Sequence, residues 1–327
     1  MHSRTSGLAA LLLLVPVVMA AEPEAVRIAS GVSGHIHPAI AVTKNGVIVV
    51  VFSQADFRDL RVTRSTDGGK TWSAPVAFGP AEKLSIYPGS LTTLADGRLV
   101  HAWNTWYTEG DKPKSRYVQY VVSSDDGKTW SETKSLPKNP AAQSVIRHPL
   151  VELKPNEWLL SLSDATVVHD AGTGKTTPFG DERVHGLVPI VRTAAGTLVS
   201  GAGLRSVDQG KTWSKVEPFP KIGSDGWRYD LTTLSNGWLV ASEVLGPGIG
   251  GERWRFVVSR DDGKNWDFDG AVEFYNPGRA IGGRACPKTV QLDRDTLGTV
   301  FYDVDAKQTG GAGVFFLRTP VSRLQPK

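Results

Sequence analysis

One eight-residue pattern, Ser-x-Asp-x-Gly-x-(Thr/Asn)-Trp, occurs four times along the 327-residue chain. The copies are residues 65–72, 123–130, 206–213 and 259–266, and the last copy alone has Asn in place of Thr. In each copy the Asp carboxylate can accept hydrogen bonds from turn amides, the Gly allows a positive φ, and the Trp can pack on a neighbouring sheet. The pattern therefore predicts four β-hairpin turns within a repeat architecture, and it predicts that these Asp residues are structural.

A second repeat, two apolar strands joined by a short polar turn, occurs six times between these copies. Its members are residues 35–51, 87–103, 147–162, 185–199, 228–240 and 284–302. Combined with the hairpins of the first pattern, they predict six four-stranded sheets. Radial packing of these sheets protects their edges, so the predicted fold is an all-β six-bladed β-propeller, closed in its sixth blade by residues 25–29. Two stacked β-sandwiches are the alternative that short, regular strands also fit.

The first 21 residues have the pattern of a signal peptide. Arg4 precedes an apolar run over residues 8–18, and small residues follow at Ala20 and Ala21. We therefore expect an exported protein, periplasmic or extracellular, in which residues 22–327 form a single propeller domain. The apolar run is too short for a good membrane span, and no later segment is long enough.

Charge and cysteine content exclude two further classes of protein. The formal net charge is +4 without any Lys/Arg run, a balance too mild to indicate a nucleic-acid partner. The single cysteine, Cys286, excludes an intrachain disulfide framework and has no nucleophile partners beside it. We expect it to be a packing residue.

Together, the eight-residue pattern and the blades resemble the bacterial-neuraminidase-repeat (Asp-box) proteins of the sialidase superfamily, over essentially the whole of residues 22–327. That resemblance implies three arginines that clamp a substrate carboxylate, a Tyr nucleophile activated by a Glu, and an Asp acid/base. On this chain it implies Asp59, or Asp56, as the acid/base and Tyr302 as the nucleophile. Arg228 and Arg284 resemble two of the clamp positions.

The chain departs from this family in its first blade. Where sialidases have Arg-Ile-Pro, it has the sequence from His35 to Pro38, so the first clamp arginine is missing from its usual place. Glu243 is a provisional counterpart of the activating Glu.

Blade geometry gives an independent prediction of the site. Inner strands of a propeller begin at one face and converge on the axis, so the residues that open them become neighbours. Arg can bind a carboxylate bidentately, and His or Tyr can transfer protons near neutral pH. We therefore predict a site for an anionic sugar there, with His37 as a further catalytic residue. The predicted binding residues are His35, Tyr87, Arg147, His148, His185, Arg228, Tyr229, Asp230 and Arg284.

Each of these residues also has an ordinary structural interpretation. A strand-opening Arg can pair with a local carboxylate, and a buried His can simply be hydrogen-bonded. We expect no metal or cofactor, because no His or Cys completes a ligand set with His35 and His37 by spacing.

Three functions fit these observations. The first is an exported sialidase-like glycoside hydrolase that cleaves terminal acidic sugars from glycans, with Arg147, Arg228 and Arg284 holding the carboxylate. The second is a uronate-polysaccharide lyase or a non-sialic glycosidase, which the histidines of the first blade favour. The third is a glycan-binding propeller without catalytic activity.

Overall fold

A computed structural model describes residues 25–32, 37–53, 60–78, 85–109, 112–137, 145–220, 229–245, 253–276, 279, 281, 286–303 and 311–326. Its strands form six four-stranded antiparallel sheets, which confirms the all-β six-bladed propeller and excludes the stacked sandwiches. Within these ranges, no helix has the length and apolar character needed to cross a membrane.

Each sheet is one blade, built from consecutive strands. Blade 1 contains β2 (Ala39–Val42), β3 (Ile48–Ser53), β4 (Leu60–Ser65) and β5 (Val76–Phe78). Blade 2 contains β6 (Ser85–Thr93), β7 (Leu99–Glu109), β8 (Lys112–Ser123) and β9 (Lys134–Ser135). Blade 3 contains β10 (Val151–Lys154), β11 (Glu157–Ser161), β12 (Thr166–Asp170) and β13 (Lys175–Pro178).

The remaining three blades repeat this arrangement. Blade 4 contains β14 (Ile190–Arg192), β15 (Leu198–Ser200), β16 (Leu204–Ser206) and β17 (Ser214–Lys215). Blade 5 contains β18 (Tyr229–Thr233), β19 (Leu239–Leu245), β20 (Arg253–Ser259) and β21 (Asp267–Tyr275). Blade 6 contains β22 (Lys288–Asp293), β23 (Thr296–Asp303), β24 (Gly313–Pro320) and, from the start of the chain, β1 (Val26–Ser30).

Strand β1 closes the propeller. It pairs with β24 so that Val26 lies opposite Phe316 and Ser30 lies opposite Gly313. The first described strand therefore completes the last blade, as predicted for residues 25–29. Pairing the two ends of the chain within one blade leaves the ring without an open seam.

The hydrophobic core lies between neighbouring blades. Between blades 5 and 6, Trp254 packs edge-on against Phe301 with ring centroids 4.8 Å apart. Phe256 stacks on Phe274 at 3.9 Å within blade 5, and all four rings are buried. Because successive side chains of a strand point to opposite faces, every blade contributes apolar residues to two such interfaces.

The repeated eight-residue boxes connect the third and fourth strands of four blades. In the first copy, Asp67 Oδ1 accepts hydrogen bonds from the backbone N–H groups of Lys70 and Thr71 at 3.0 and 2.9 Å, and Asp67 Oδ2 accepts from Thr71 Oγ1 at 2.6 Å. Trp72 packs on Phe316 of blade 6, with ring centroids 5.1 Å apart. Equivalent bonds lower the pKa of Asp208 to about 2, with the Thr212 hydroxyl as the largest cause. These carboxylates hold turns, as the sequence predicted.

Candidate functional site

The inner strands β2, β6, β10, β14, β18 and β22 all start at one face of the propeller, here called the opening face. The opposite face carries the turns that follow these strands, and we call it the turn face. Part of the predicted site lies outside the described residues: His35, Asp56, Asp59, Arg228 and Arg284. Tyr87 lies within β6, and its side chain is also outside what the structure describes.

A buried charged cluster joins three blades near the axis. Lys288, the first residue of β22, places its Nζ 2.7 Å from Nδ1 of His148 and 3.3 Å from Oδ1 of Asp230. The second carboxylate oxygen of Asp230 accepts the backbone N–H of Thr289 at 2.8 Å. The side chains of Lys288 and Asp230 are only 7% and 2% exposed. Two residues predicted to be neighbours, His148 and Asp230, are thus 3.7 Å apart and share a lysine.

The hydrogen bonds fix the protonation of this cluster. Nε2 of His148 lies 3.2 Å from the carbonyl oxygen of Leu187, so it carries the proton and donates it. Nδ1 is then the acceptor for the Lys288 ammonium. Burial, assisted by the Lys288 charge, lowers the pKa of His148 to about 4. Burial acts to raise the pKa of Asp230, but the charge of Lys288 and the hydrogen bond from the Thr289 N–H outweigh it and lower that pKa.

A second buried group lies on the other side of blade 5. Tyr229 and Glu243 are cross-strand partners in β18 and β19, and both are almost completely buried. Glu243 Oε2 accepts a hydrogen bond from Arg255 Nε at 2.7 Å. Within the described part of the chain, Glu243 Oε1 and the Tyr229 hydroxyl have no hydrogen-bond partner. Burial raises the pKa of Tyr229 well above its usual range, and the carboxylates of Glu243 and Asp230 raise it further.

Blade 6 contributes a third group at the end of β23. Asp303 is 3% exposed, and one of its carboxylate oxygens lies 2.5 Å from a guanidinium nitrogen of Arg279. The preceding residue, Tyr302, is completely buried, and its ring centroid lies 6.3 Å from that of His37. The predicted catalytic residues Tyr302 and His37 are therefore close to each other, on the side of blade 6 that faces blade 1.

Two further predicted residues lie at the entrances to blades 3 and 4. Arg147 is half-buried, and Asn104 of blade 2 positions the residue before it. The Asn104 side chain both donates to the carbonyl oxygen of Ile146 at 2.8 Å and accepts its N–H at 2.7 Å. His185 follows a short 3-10 helix (Glu182–Val184), and its backbone N–H donates to the carbonyl oxygen of Glu182.

Sequence reasoning missed the cations of these groups: Lys288, Arg255 and Arg279. Lys288 had a signal, since it is a charged residue between Pro287 and Thr289 in a strand that must lie against the axis. The sequence prediction places the opening of the sixth blade at Arg284, whereas β22 starts four residues later. Cys286 is buried in the apolar interface between blades 6 and 1, in agreement with the prediction that it is a packing residue.

An axial channel of about 400 Å³ lies towards the turn face, lined by all six inner strands. Two of its polar side chains make local bonds: Thr93 Oγ1 donates to the carbonyl oxygen of Val42 at 2.7 Å, and Glu152 Oε2 accepts the N–H of Ala95 at 2.6 Å. The groups suited to chemistry lie at the opening face. No set of three or more His, Cys, Asp or Glu side chains in the described ranges is arranged to hold a metal ion.

The opening face thus collects three buried carboxylates, each paired with a cation, together with two buried tyrosines. Glu243, Asp230 and Asp303 pair with Arg255, Lys288 and Arg279 respectively. A buried carboxylate whose second oxygen has no bonding partner, as in Glu243, can accept a proton or a sugar hydroxyl. Such an arrangement suits acid–base chemistry on a polar ligand.

Comparison with known proteins agrees with this fold. The family model of the BNR/Asp-box repeat matches residues 63–74. A sialidase of Bacteroides fragilis (strain YCH46) is 25% identical over 264 residues, which cover 70% of this chain and 42% of that protein. The chain therefore spans less than half the length of this curated relative.

Solved structures with the same fold include sialidases. The Hadza microbial sialidase Hz136 has a TM-score of 0.68 at 14% identity, and the alignment covers 89% of this chain and 66% of the sialidase chain. The intramolecular trans-sialidase of Ruminococcus gnavus, in complex with oseltamivir carboxylate, has a TM-score of 0.66 at 13% identity, and the alignment covers 91% of this chain and 96% of the trans-sialidase chain. A Dyadobacter fermentans protein of unknown function has a TM-score of 0.65 at 21% identity, covering 91% and 99%.

Proposed function

We propose that this six-bladed propeller, which has the fold of sialidases, is a glycoside hydrolase that releases a terminal acidic sugar from a glycan. One observation carries the proposal. Buried carboxylates, tyrosines and cations lie on three neighbouring blade faces at the opening face, and these are the residue types that hydrolysis of an anionic sugar uses. The fold alone would not suffice, because one fold supports many activities.

The proposed roles follow the resemblance where the chain has matching residues. Asp59 is the acid/base, and Arg147, Arg228 and Arg284 bind the substrate carboxylate. Tyr302 is the nucleophile.

Glu243 raises a second candidate for the nucleophile. Its side chain lies on the face of blade 5 that it shares with Tyr229, whereas Tyr302 belongs to the interface between blades 6 and 1. A carboxylate can activate a phenol only within hydrogen-bond reach, directly or through one water. Tyr229 is therefore the alternative nucleophile, and separate Phe variants of the two tyrosines distinguish them: the variant of the nucleophile loses turnover.

The primary test is mass spectrometry of the products formed from a mixture of sialylated and uronate-containing glycans. Release of the free acidic sugar with one water gained supports the hydrolase. An unsaturated uronate formed without water would instead identify a lyase. Binding without any product would identify a glycan-binding propeller.

Arg284→Ala tests the clamp. We expect this variant to lose turnover and to keep the melting temperature (Tm) of the wild type. Arg294→Ala is the matched control, because Arg294 is an exposed arginine of the same blade at the turn face. Full activity in Arg284→Ala would contradict the assignment.

Export is part of the proposal. Its support is the sequence pattern of residues 1–21 described above. Expression with the whole leader, followed by intact mass measurement of the extracellular or periplasmic fraction, tests it. A mature chain that starts near residue 21 or 22 is expected, and an unprocessed chain retained in the cytoplasm would refute it.

A further inference from the structure

Blade 4 has the shortest second strand of the six blades. Its second strand, β15, has three residues, whereas β19 of blade 5 has seven and β7 of blade 2 has eleven. All three strands start two residues after the glycine of a turn at the turn face. At about 3.3 Å per residue, the four additional residues of β19 extend about 13 Å further towards the opening face. Strand β15 ends instead in a turn of residues 201–203 that leads directly into β16.

A recess of about 730 Å³ lies beside the end of β15 at the opening face. One wall is the turn of residues 201–203, and the other is the segment of residues 215–220 that continues from β17. The N–H of Val216 donates to the carbonyl oxygen of Gly203 at 2.9 Å and joins the two walls at their base. Gly203 has a φ of 75°, and a Cβ at that position would lie 3.4 Å from Phe219.

The recess adjoins the buried groups of the site through Phe219. The ring of Phe219 packs on Trp266 and on Tyr229, with ring centroids 5.2 and 6.5 Å apart. Tyr229 opens β18 and directly precedes Asp230 of the charged cluster. The recess is therefore separated from the buried Tyr229 by the ring of Phe219 alone.

We propose that this recess is a subsite for the neutral sugar units to which the acidic sugar is attached. The proposal rests on the proposed function and adds the direction of the glycan chain, over blade 4. A pyranose ring has an apolar C–H face and a rim of hydroxyl groups. The recess offers the exposed ring of Pro218 and the half-buried ring of Phe219 to the apolar face, and the exposed ion pair of Lys215 and Glu217 to the hydroxyl groups.

The test fills the recess. Ala202 is exposed at the tip of the turn, so Ala202→Trp places an indole in the recess without replacing a buried side chain. The assay compares 3′-sialyllactose with an aryl sialoside that lacks the neutral sugars. We expect kcat/KM for sialyllactose to fall at least about tenfold, mainly through KM, and kcat/KM for the aryl sialoside to stay within about twofold. Ala195→Trp is the matched control, because Ala195 is exposed at the turn face of the same blade.

A binding measurement makes the result independent of turnover. Saturation-transfer NMR with lactose should show binding to the wild type and to Ala195→Trp, and loss of binding in Ala202→Trp. Equal losses on both substrates, no loss on either, or unchanged lactose binding in Ala202→Trp would each overturn the subsite. If the wild type cleaves neither substrate and releases no acidic sugar from the mixed glycans, but binds lactose in this recess, the proposed hydrolase fails and the subsite stands.

Discussion

Replacing Lys288 by Met removes the ammonium group between His148 and Asp230 and keeps an unbranched side chain of similar length. The Asp230 carboxylate, 2% exposed, then retains the Thr289 N–H but loses the cation 3.3 Å away. Breaking a buried ion pair from one side costs about 3–5 kcal/mol, because it leaves an uncompensated buried charge. We expect the free energy of unfolding at pH 8 to fall by this amount.

The corresponding shift in Tm can be calculated from the size of the domain. At about 2.1 cal/mol/K per residue, roughly 300 folded residues have an unfolding entropy of about 0.6 kcal/mol/K, so Tm should fall by about 5–8 °C. Differential scanning calorimetry at pH 8 measures it. Asp230→Asn combined with Lys288→Met removes both charges, and this double variant should recover at least half of the loss.

The pH dependence gives a sharper test. In the wild type, His148 has a pKa of about 4, below the 6.5 of an exposed histidine. The unfolded chain therefore binds more protons between pH 6.5 and 4, and stability falls as the pH falls through that window, by up to about 3 kcal/mol. Without Lys288, the imidazole 3.7 Å from Asp230 can take up a proton and replace the ammonium. The deficit of Lys288→Met should hence be smaller at pH 5 than at pH 8.

Three results would refute this reasoning. A Tm within about 2 °C of the wild type at pH 8 would mean that the buried charge is not destabilised by losing its partner. A deficit of equal size at pH 5 and pH 8 would mean that His148 cannot substitute for Lys288. A double variant as unstable as the single one would assign the effect to packing.

Two further predictions concern a box turn and the site. Gly69→Ala should lower the free energy of unfolding, measured by chemical denaturation, by about 2–4 kcal/mol, because φ is 87° and the new Cβ would lie 2.2 Å from the Phe316 ring. Gly46→Ala is the control, and it should lower that free energy by only about 1 kcal/mol, because φ is 76° and nothing lies within 4 Å of the new Cβ. Equal losses in the two variants would contradict the predicted clash. Glu243→Gln should lower kcat/KM on the acidic glycan by about 10²–10⁴ if Glu243 is a proton acceptor, whereas the exposed Glu132→Gln should have wild-type kinetics, and an active Glu243→Gln would exclude that role.

The fold could be predicted from the sequence because each box encodes its own turn. Asp67 finds its partners within four residues, so the signal is local and survives wherever the box occurs. Blade 3 lacks a full box, but Asp170 still accepts the N–H groups of Gly172 and Thr173 in the turn between its third and fourth strands. Closure of the ring by β1 could be predicted as well, because the last blade needs a fourth strand in addition to its three consecutive ones.

The residues of the site could be predicted only where the topology of the propeller alone brings them together. His148 and Asp230 meet because strand openings converge, whatever lies between them in the chain. Lys288 could not be paired in advance, because its partners lie 140 and 58 residues away on two other blades. No short sequence pattern predicts those contacts, because they depend on which face of each inner strand packs against the next blade.

One pairing was within reach of the sequence, because the register of a regular hairpin is set by its turn. Counting equal steps from Asn236 in the turn of blade 5 leads to Tyr229 on one side and Glu243 on the other, which is the observed cross-strand pair. Alternation then directs Tyr229 and Asp230 to opposite faces of the blade, one towards Glu243 and one towards Lys288. The same count fails in blade 6, where an irregularity between Gln291 and Asp293 shifts the register. Which tyrosine faces Glu243 was therefore predictable, whereas the surroundings of Tyr302 required the structure.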